Sequence, residues 1–513
     1  MQRLGLRFLL WLLCLLGVVA LKWQVVHDPQ YWDALGCYVV QARFIARHGL
    51  DLAAYHELPY LRPPIFTGTL ALALRLFGPS REVLHVTTFL FGGLALPATW
   101  MLVRRLGGRR SGAAVAALAC LASPIYLAQL GIVQSDLPAA ALTTLAWAAL
   151  VGRRTFGFVV WASLAVLTKE SAAFLCGPAA LLLWQRAVRP GGRWFSRAAL
   201  TAAVPALIPG MVLAGWLLVH GLFVGKLVSA VHRGYVGPEY LTWSLFHNFV
   251  DGGRLALVLL AALPVWKALR QVRPQPGRQP EQWPATGHAL ERDAILYTAL
   301  LAMVLPLFFP APLPRYMVLS LPLFAALSAL GLEQLPVPGW RPLAATLLIG
   351  FLGLGQSGRW GKRDIAHLEA SLAYRTLIGL HQQAARELAA EAPRSVISAF
   401  PLFPVLSAPP EDGYLPAPLP VKTPEQAAGL KALCESDFIV EAQDSSIGPA
   451  LAELRRVGAL TLWRQLGPPP LRDSGKSSAD SAWSAQAAPL PLDAERDLTI
   501  RIYRISCPPT AKL

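Results

Sequence analysis

A few polar side chains stand out from an otherwise apolar chain. They lie in short stretches beside long apolar runs: YWDALGCYVVQAR with Asp33, YLRPPI with Tyr60 and Arg62, QSDLP with Asp136, LTKES with Lys169 and Glu170, and LPRYMVLSLPLF with Arg315 and Tyr316. A carboxylate can orient a hydroxyl and take its proton, while guanidinium and ammonium groups can neutralise a phosphate. Asp33 is the candidate base, since it opens the helical stretch Ala34 to Arg47 just after the first apolar segment. A helix N-cap is the competing role for it, and Asp28, in HDP, reads more as a turn residue. Two prolines fix the backbone at Arg62, where a guanidinium could grip a phosphate or merely touch lipid headgroups. Asp136 also suits a helix start. Lys169 sits between two apolar segments, where a charge is costly and normally has a purpose; Glu170 is a pairing partner beside it. Arg315 and Tyr316 begin an apolar run, as phosphate contact and stacking ring or as interfacial anchors. Tyr60, in the Tyr-rich turn before Arg62, is a supporting candidate.

The elements that must position these groups are membrane helices. The 513 residues are 54% hydrophobic and 15% charged, with a mean hydropathy of +0.45, which excludes an ordinary soluble domain. The net charge of +16 does not point to nucleic acid, because the Arg residues cluster between apolar runs, as in RRLGGRR and RAVRPGGRWFSR. That is the positive-inside pattern of cytoplasmic loops. Apolar runs predict about eleven spans, near 6–26, 83–103, 111–127, 137–151, 156–167, 172–186, 198–222, 251–270, 293–310, 316–332 and 342–357. Ile65 to Phe77, ended by Gly78 and Pro79, is read as a shallow helix, because counting it as a span would move RRLGGRR outside. With the N-terminus inside, all the polar stretches above fall on the outer face, including Ser123 to Asp136 as an outer loop.

Four regions follow: residues 1–26 as the first transmembrane helix, 27–82 as an extracytoplasmic loop with interfacial helices, 83–357 as the helix bundle, and 358–513 as a small soluble α/β domain. In the last, a helical stretch at Asp364 to Glu391 precedes strands at Ser395 to Phe400, Ser436 to Gln443, Leu460 to Leu466 and Asp497 to Ile505. Helical patterns cover Glu425 to Cys434 and Pro449 to Arg456, and Pro468 to Pro491 reads as an insertion. Six Cys without CxxC spacing give no zinc or thioredoxin motif, and a Cys434–Cys507 disulfide stays open. GLGQSG (Gly353 to Gly358) follows no strand, and HELPY lacks the second His of a zinc helix, so neither marks a nucleotide or metal site.

Taken in order, WDALGCYVVQAR, YLRPPIFTGTLALALRLFG, QSDLP, LTKES and PRYMVLSLPLF resemble the bacterial protein-mannosyltransferase and aminoarabinose-transferase (ArnT-like) branch of the GT-C membrane glycosyltransferases. The resemblance implies the GT-C fold and an inverting transfer from a polyprenyl-phosphate sugar to an acceptor hydroxyl, at the outer face of the bacterial inner membrane. It gives Asp33 the role of the loop aspartate that orients or deprotonates the acceptor. Arg62, Lys169 and Arg315 become donor-phosphate ligands, and Asp136 matches a later acidic position. The acceptor is a protein, a glycolipid or a polysaccharide. The sequence departs from the family's pattern at the first loop: relatives carry Asp-Glu with Tyr four residues after the Asp, whereas Ala34 follows Asp33 and Tyr38 is five residues on. No cofactor is implied with certainty, and a divalent metal shared by Asp33 and Asp136 stays open. The competing readings are a lipid-linked sugar transporter and a non-catalytic envelope assembly protein.

Overall fold

Small side chains let the innermost helices approach closely. In the computed structural model, which describes residues 2–49, 62–188, 195–224, 254–272, 289–304, 314–335, 337–354, 374–442, 447–467 and 499–508, fourteen helices precede a C-terminal α/β domain. These are α1 (Gln2–Leu21), α2 (Val39–His48), α3 (Pro64–Phe77), α4 (Arg81–Arg105), α5 (Arg110–Ala122), α6 (Pro124–Gly131), α7 (Asp136–Val151), α8 (Thr155–Val166), α9 (Cys176–Ala187), α10 (Arg197–Val224), α11 (Arg254–Val272), α12 (Ala289–Val304), α13 (Leu321–Glu333) and α14 (Trp340–Leu354). Every residue of α7 is buried, and α13 is buried from Leu321 to Leu332. Both are rich in Ala, which suits helices surrounded by other helices. By contrast, α10 turns Leu200, Leu207, Met211 and Leu218 outward, as a lipid-facing helix should.

Helix ends follow the local sequence. Ser80 Oγ accepts from the Val83 N–H at 3.4 Å and starts α4. α3 is 14 residues long and stops at Gly78, whose φ of 93° only glycine adopts without strain. At about 1.5 Å per residue it is shorter than the ~30 Å apolar core of a bilayer. Among the described residues, Arg81–Arg105 and Arg197–Leu222 are long and apolar enough to cross by themselves, and α5 with α6 adds one more as a pair bent by 62°.

The structure corrects three boundaries. The expected outer loop at Ser123 to Asp136 contains α6, which is buried throughout; Pro124 breaks the ladder of α5 and restarts the chain as a second helix. The expected span at 172–186 begins as a 3-10 helix, Glu170–Leu175, and becomes α-helical at Cys176, which puts Pro178 in the first turn where it is tolerated. The run from 316 likewise opens as a 3-10 turn, Pro314–Leu319, ahead of α13.

In the C-terminal domain, α15 (Tyr374–Ala390) packs on a five-stranded sheet of order β2-β1-β3-β5-β4. The strands are β1 (Val396–Ser398), β2 (Val421–Lys422), β3 (Phe438–Glu441), β4 (Leu460–Leu466) and β5 (Ile500–Ile505). β1 pairs in parallel with β2 and β3, while β5 runs antiparallel between β3 and β4. The helical pattern at Glu425 to Cys434 is reduced to Leu430–Cys434, after Gly429 at a φ of 91°. Cys434 and Cys507 are joined by a disulfide. One core of this domain takes in Leu35 from the first loop, so the domain seats directly on the segment that carries Asp33.

Close helix crossing makes a checkable demand. A Cβ on Gly331 of α13 would lie 2.1 Å from the backbone oxygen of Leu260 in α11, whereas one on Gly350 of α14 would meet nothing within 4 Å. Gly331→Ala is expected to destabilise by about 1–3 kcal/mol, read as a lowered thermal unfolding midpoint in detergent, and Gly350→Ala to leave it unchanged.

Candidate active site

Asp33 stands on a tight turn between α1 and α2. The Ala34 N–H donates to Tyr31 O and the Gly36 N–H to Trp32 O, both at 3.0 Å, and Trp32 takes a φ of 51°. For a bulky residue that left-handed conformation costs about 1–3 kcal/mol and persists only when the surroundings enforce it. Residues Ala34–Tyr38 then form a π-helical turn, with the Val39 N–H donating to Ala34 O, before α2 begins. This turn absorbs the extra residue that separates Asp33 from Tyr38. Tyr38 consequently still faces the site, its hydroxyl 2.8 Å from Ser135 Oγ, next to Asp136.

Two buried ion pairs form the centre. Arg315 Nη2 donates to Asp33 Oδ2 at 2.6 Å, and Arg315 Nη1 reaches Gln134 Oε1 at 3.4 Å. Lys169 Nζ donates to Asp136 Oδ1, and the same ammonium lies 4.5 Å from the Tyr316 ring centroid. Arg62 completes the group: its guanidinium carbon is 5.5 Å from the centre of the Tyr38 ring, and Nη2 is 3.9 Å from Cys37 Sγ. Gln41 of α2 grips the Arg62 backbone from both sides, accepting from its N–H at 2.7 Å and donating to its carbonyl at 3.0 Å. A second bond from Gln41 Nε2 to Thr67 Oγ1 at 3.2 Å ties that grip to α3.

The charges are electrostatically coupled. Burial pushes the Asp33 pKa up, but Arg315, Arg62 and Lys169 together outweigh it and hold the carboxyl below the usual aspartate range. Burial lowers the Lys169 ammonium from its ordinary value, with Asp136 opposing and Arg315 and Arg62 reinforcing the fall. Arg62, Lys169 and Arg315 thus face Asp33 and Asp136 near the starts of α7 and α13, with the Glu170 charge acting on Arg62. Such an arrangement can hold a phosphate while keeping a carboxylate ionised beside it.

The structure brings Asp33, Arg62, Asp136, Lys169, Arg315 and Tyr316 into one cluster. Asp33 makes no side-chain cap hydrogen bond, whereas Asp136 is the first residue of α7, the helix start that its sequence also suits. Lys169 pairs with Asp136 rather than with Glu170, because the chain is extended at Lys169 (φ −154°, ψ 131°) and points successive side chains apart. Glu170 still acts on Arg62 through its charge. Asp28 is held by Arg375 of α15 at 2.7 and 3.1 Å. Tyr60 lies outside the described residues. Sequence reading missed Gln41, Gln134, Tyr38 and Ser135, although Gln134 and Ser135 belong to the QSD stretch already singled out. Among the described residues, no group of three or more His, Cys, Asp or Glu is arranged to hold a metal ion.

Residues 61–216 match the family described as dolichyl-phosphate-mannose-protein mannosyltransferase. The whole chain is similar in fold to ArnT from Cupriavidus metallidurans. With ArnT bound to undecaprenyl phosphate the TM-score is 0.55 at 15% identity, over 96% of this chain and 98% of that one. With apo ArnT it is 0.56 at 16% identity, over 96% and 97% of the two chains. No curated protein sequence matches the chain.

The Asp33–Arg315 pair carries a pH signature. Because the folded-state pKa of Asp33 is lowered, the pair stabilises the protein above the ordinary aspartate pKa, and this contribution disappears as pH falls through the lowered value. Asp33→Asn leaves Arg315 buried without its anion at every pH, at a cost of about 3 kcal/mol near neutrality. The gap in thermal stability between parent and Asp33→Asn should therefore close as the pH is taken below the aspartate range.

Proposed function

We propose that this chain, a membrane protein with the fold and motifs of the ArnT- and PMT-like glycosyltransferases of the GT-C superfamily, moves a sugar from a polyprenyl-phosphate donor to an acceptor hydroxyl. The observation that carries the reading is the cluster of Arg62, Lys169 and Arg315 around the ionised Asp33, held at the starts of α7 and α13. In this mechanism the acceptor oxygen attacks the anomeric carbon from the face opposite the phosphate, and the bond from that carbon to the phosphate oxygen breaks. The electron pair leaves with polyprenyl phosphate, whose charge Arg62, Lys169 and Arg315 neutralise. Asp33 accepts the hydroxyl proton. Its lowered pKa makes it a weak base in the resting enzyme, which suits a transfer that occurs as the attacking oxygen becomes acidic. Tyr316, beside the Lys169 ammonium, offers a ring for the sugar.

Binding of phosphate requires the cations to loosen their present partners. The donor phosphate takes over the Lys169 ammonium from Asp136 and shares Arg315 with Asp33, so these ion pairs serve as placeholders that keep the cations oriented. The Cys434–Cys507 disulfide supports an extracytoplasmic C-terminal domain, since such bonds persist in oxidising compartments. The active site adjoins that domain and would share its side of the inner membrane.

Purified protein in lipid, supplied with a panel of polyprenyl-phosphate sugars, tests the proposal. The parent should bind one donor and release polyprenyl phosphate; Asp33→Asn should keep the donor and lose turnover by at least about a hundredfold. Lys169→Met and Arg62→Met should instead weaken donor binding. Donor carried across the bilayer equally by parent and Asp33→Asn would identify a transporter.

A further inference from the structure

We propose that Phe400 of the C-terminal domain is a positioning residue for the reaction, acting by holding Trp32 in its left-handed conformation and so aiming Asp33 at Arg315. The inference rests on the catalytic reading of Asp33 given above. It starts from the backbone: Trp32, directly before Asp33, has a φ of 51°, and it is the sole described residue of the site that is not glycine and has a positive φ. The turn's own bonds, from Ala34 N–H to Tyr31 O and from Gly36 N–H to Trp32 O, close it, but an aromatic residue gains none of the freedom that glycine has at that φ.

The stabilising contacts come from the C-terminal domain. The Phe400 ring stands edge-on to the Trp32 indole at 4.9 Å between centroids and 81° between planes. The same ring reaches the far side of the turn, where Phe400 Cε2 lies 3.6 Å from the position a Cβ on Gly36 would take. Tyr374 packs against Tyr31 at 5.6 Å, and Tyr31 in turn against Trp32 at 5.7 Å. The flanks are tied down by one acidic residue. Asp412 accepts from the Gln30 N–H through its carbonyl at 3.4 Å, and its carboxylate takes two bonds of 2.7 Å from Arg43. Tyr414 adds a bond of 2.7 Å from its hydroxyl to Gln30 O, and Arg375 holds Asp28. The domain therefore fixes the chain before and after Asp33 by polar bonds, and the turn between them by the Phe400 edge on Trp32 and by the α15 cluster of Tyr374, Leu377 and Ile378 packed around Tyr31 and Trp32.

Phe400 is 37% exposed, so its truncation removes little buried core. What it removes is the ring edge that meets Trp32 from one side, the other side being packed in the cluster of Tyr31, Ile132, Tyr374 and Leu377. Without it, Trp32 can relax to a negative φ, which swings Asp33 away from Arg315. Asp33 is faced by Arg315 from the turn before α13, by Arg62 from the segment before α3 and by Lys169 from the turn after α8, and loss of the first of these contacts leaves burial to raise its carboxyl.

The test uses the full-length protein in lipid with its working donor, comparing the parent with Phe400→Ala, Trp32→Ala, Trp32→Gly and Asp33→Asn. Phe400→Ala is expected to lower kcat by about tenfold to a hundredfold with donor KM within about twofold, and to move the acid limb of the kcat profile to higher pH. Trp32→Ala should behave in the same way. Trp32→Gly loses the same ring, yet it should exceed Trp32→Ala in kcat by at least about threefold, because glycine takes a positive φ without strain. That ordering also separates positioning from loss of packing, since a packing role makes glycine the worse replacement. Parent-like kcat and pH profile in Phe400→Ala, or Trp32→Gly no better than Trp32→Ala, overturns the positioning role while an inactive Asp33→Asn keeps the glycosyltransferase reading. An active Asp33→Asn overturns both.

Discussion

Ionised groups inside an apolar bundle are the constraint on which this architecture depends. Taking Asp33 and Arg315 out of water costs several kcal/mol per ion, and the cost is recovered only by short, well-directed bonds between them. The pair joins residues 282 apart in sequence, from the first loop to the turn before α13. A second pair, Asp136 with Lys169, joins the starts of α7 and the segment after α8. These bonds, with Arg315 also reaching Gln134 just before α7, tie the start of α13 to the start of α7, and inside α13 Ser328 adds a bond to Leu257 O of α11. The polar cluster thus fixes the bundle as much as the bundle holds the cluster.

The same physics gives the cluster the means to act as the chemical site proposed above. Arg62, Lys169 and Arg315 stand beside Asp33 and Asp136, with the Glu170 charge also acting on Arg62, in surroundings where each interaction is stronger than in water. Under the function proposed above, the donor phosphate would be a further anion for these cations. The aromatic rings of Tyr38 and Tyr316 lie against Arg62 and Lys169, and so keep the cations oriented without adding negative charge.

Much of this was legible in the sequence because charges between apolar runs are expensive and therefore informative. Lys169, Asp136 and Arg315 stood out in that way, and the short apolar runs of β1, β3, β4 and β5 pointed to the C-terminal sheet. What was not legible depended on contacts between distant segments. The choice of Asp136 over Glu170 as the partner of Lys169 is set by tertiary packing, as is the grip of Gln41 on the Arg62 backbone. Two-residue β2 has no pattern of its own and exists through its neighbour β1. The π turn at Ala34–Tyr38 accommodates the five-residue spacing from Asp33 to Tyr38, the departure from the family's pattern that the sequence shows. No local signal marks Trp32 for a positive φ, since its stabilising partner Phe400 lies in another domain.

The Cys434–Cys507 bond makes the end of the chain a closed ring. β3, β4 and β5 all lie within the 73-residue separation it spans, together with the Pro-, Ser- and Ala-rich segment between β4 and β5. A single peptide-bond cut in that segment would leave β5 covalently attached, still hydrogen-bonded between β3 and β4. Such a nicked protein would migrate as one chain until its thiols were reduced. Evolution is correspondingly free to lengthen, shorten or rewrite the segment without detaching the strand that completes the sheet.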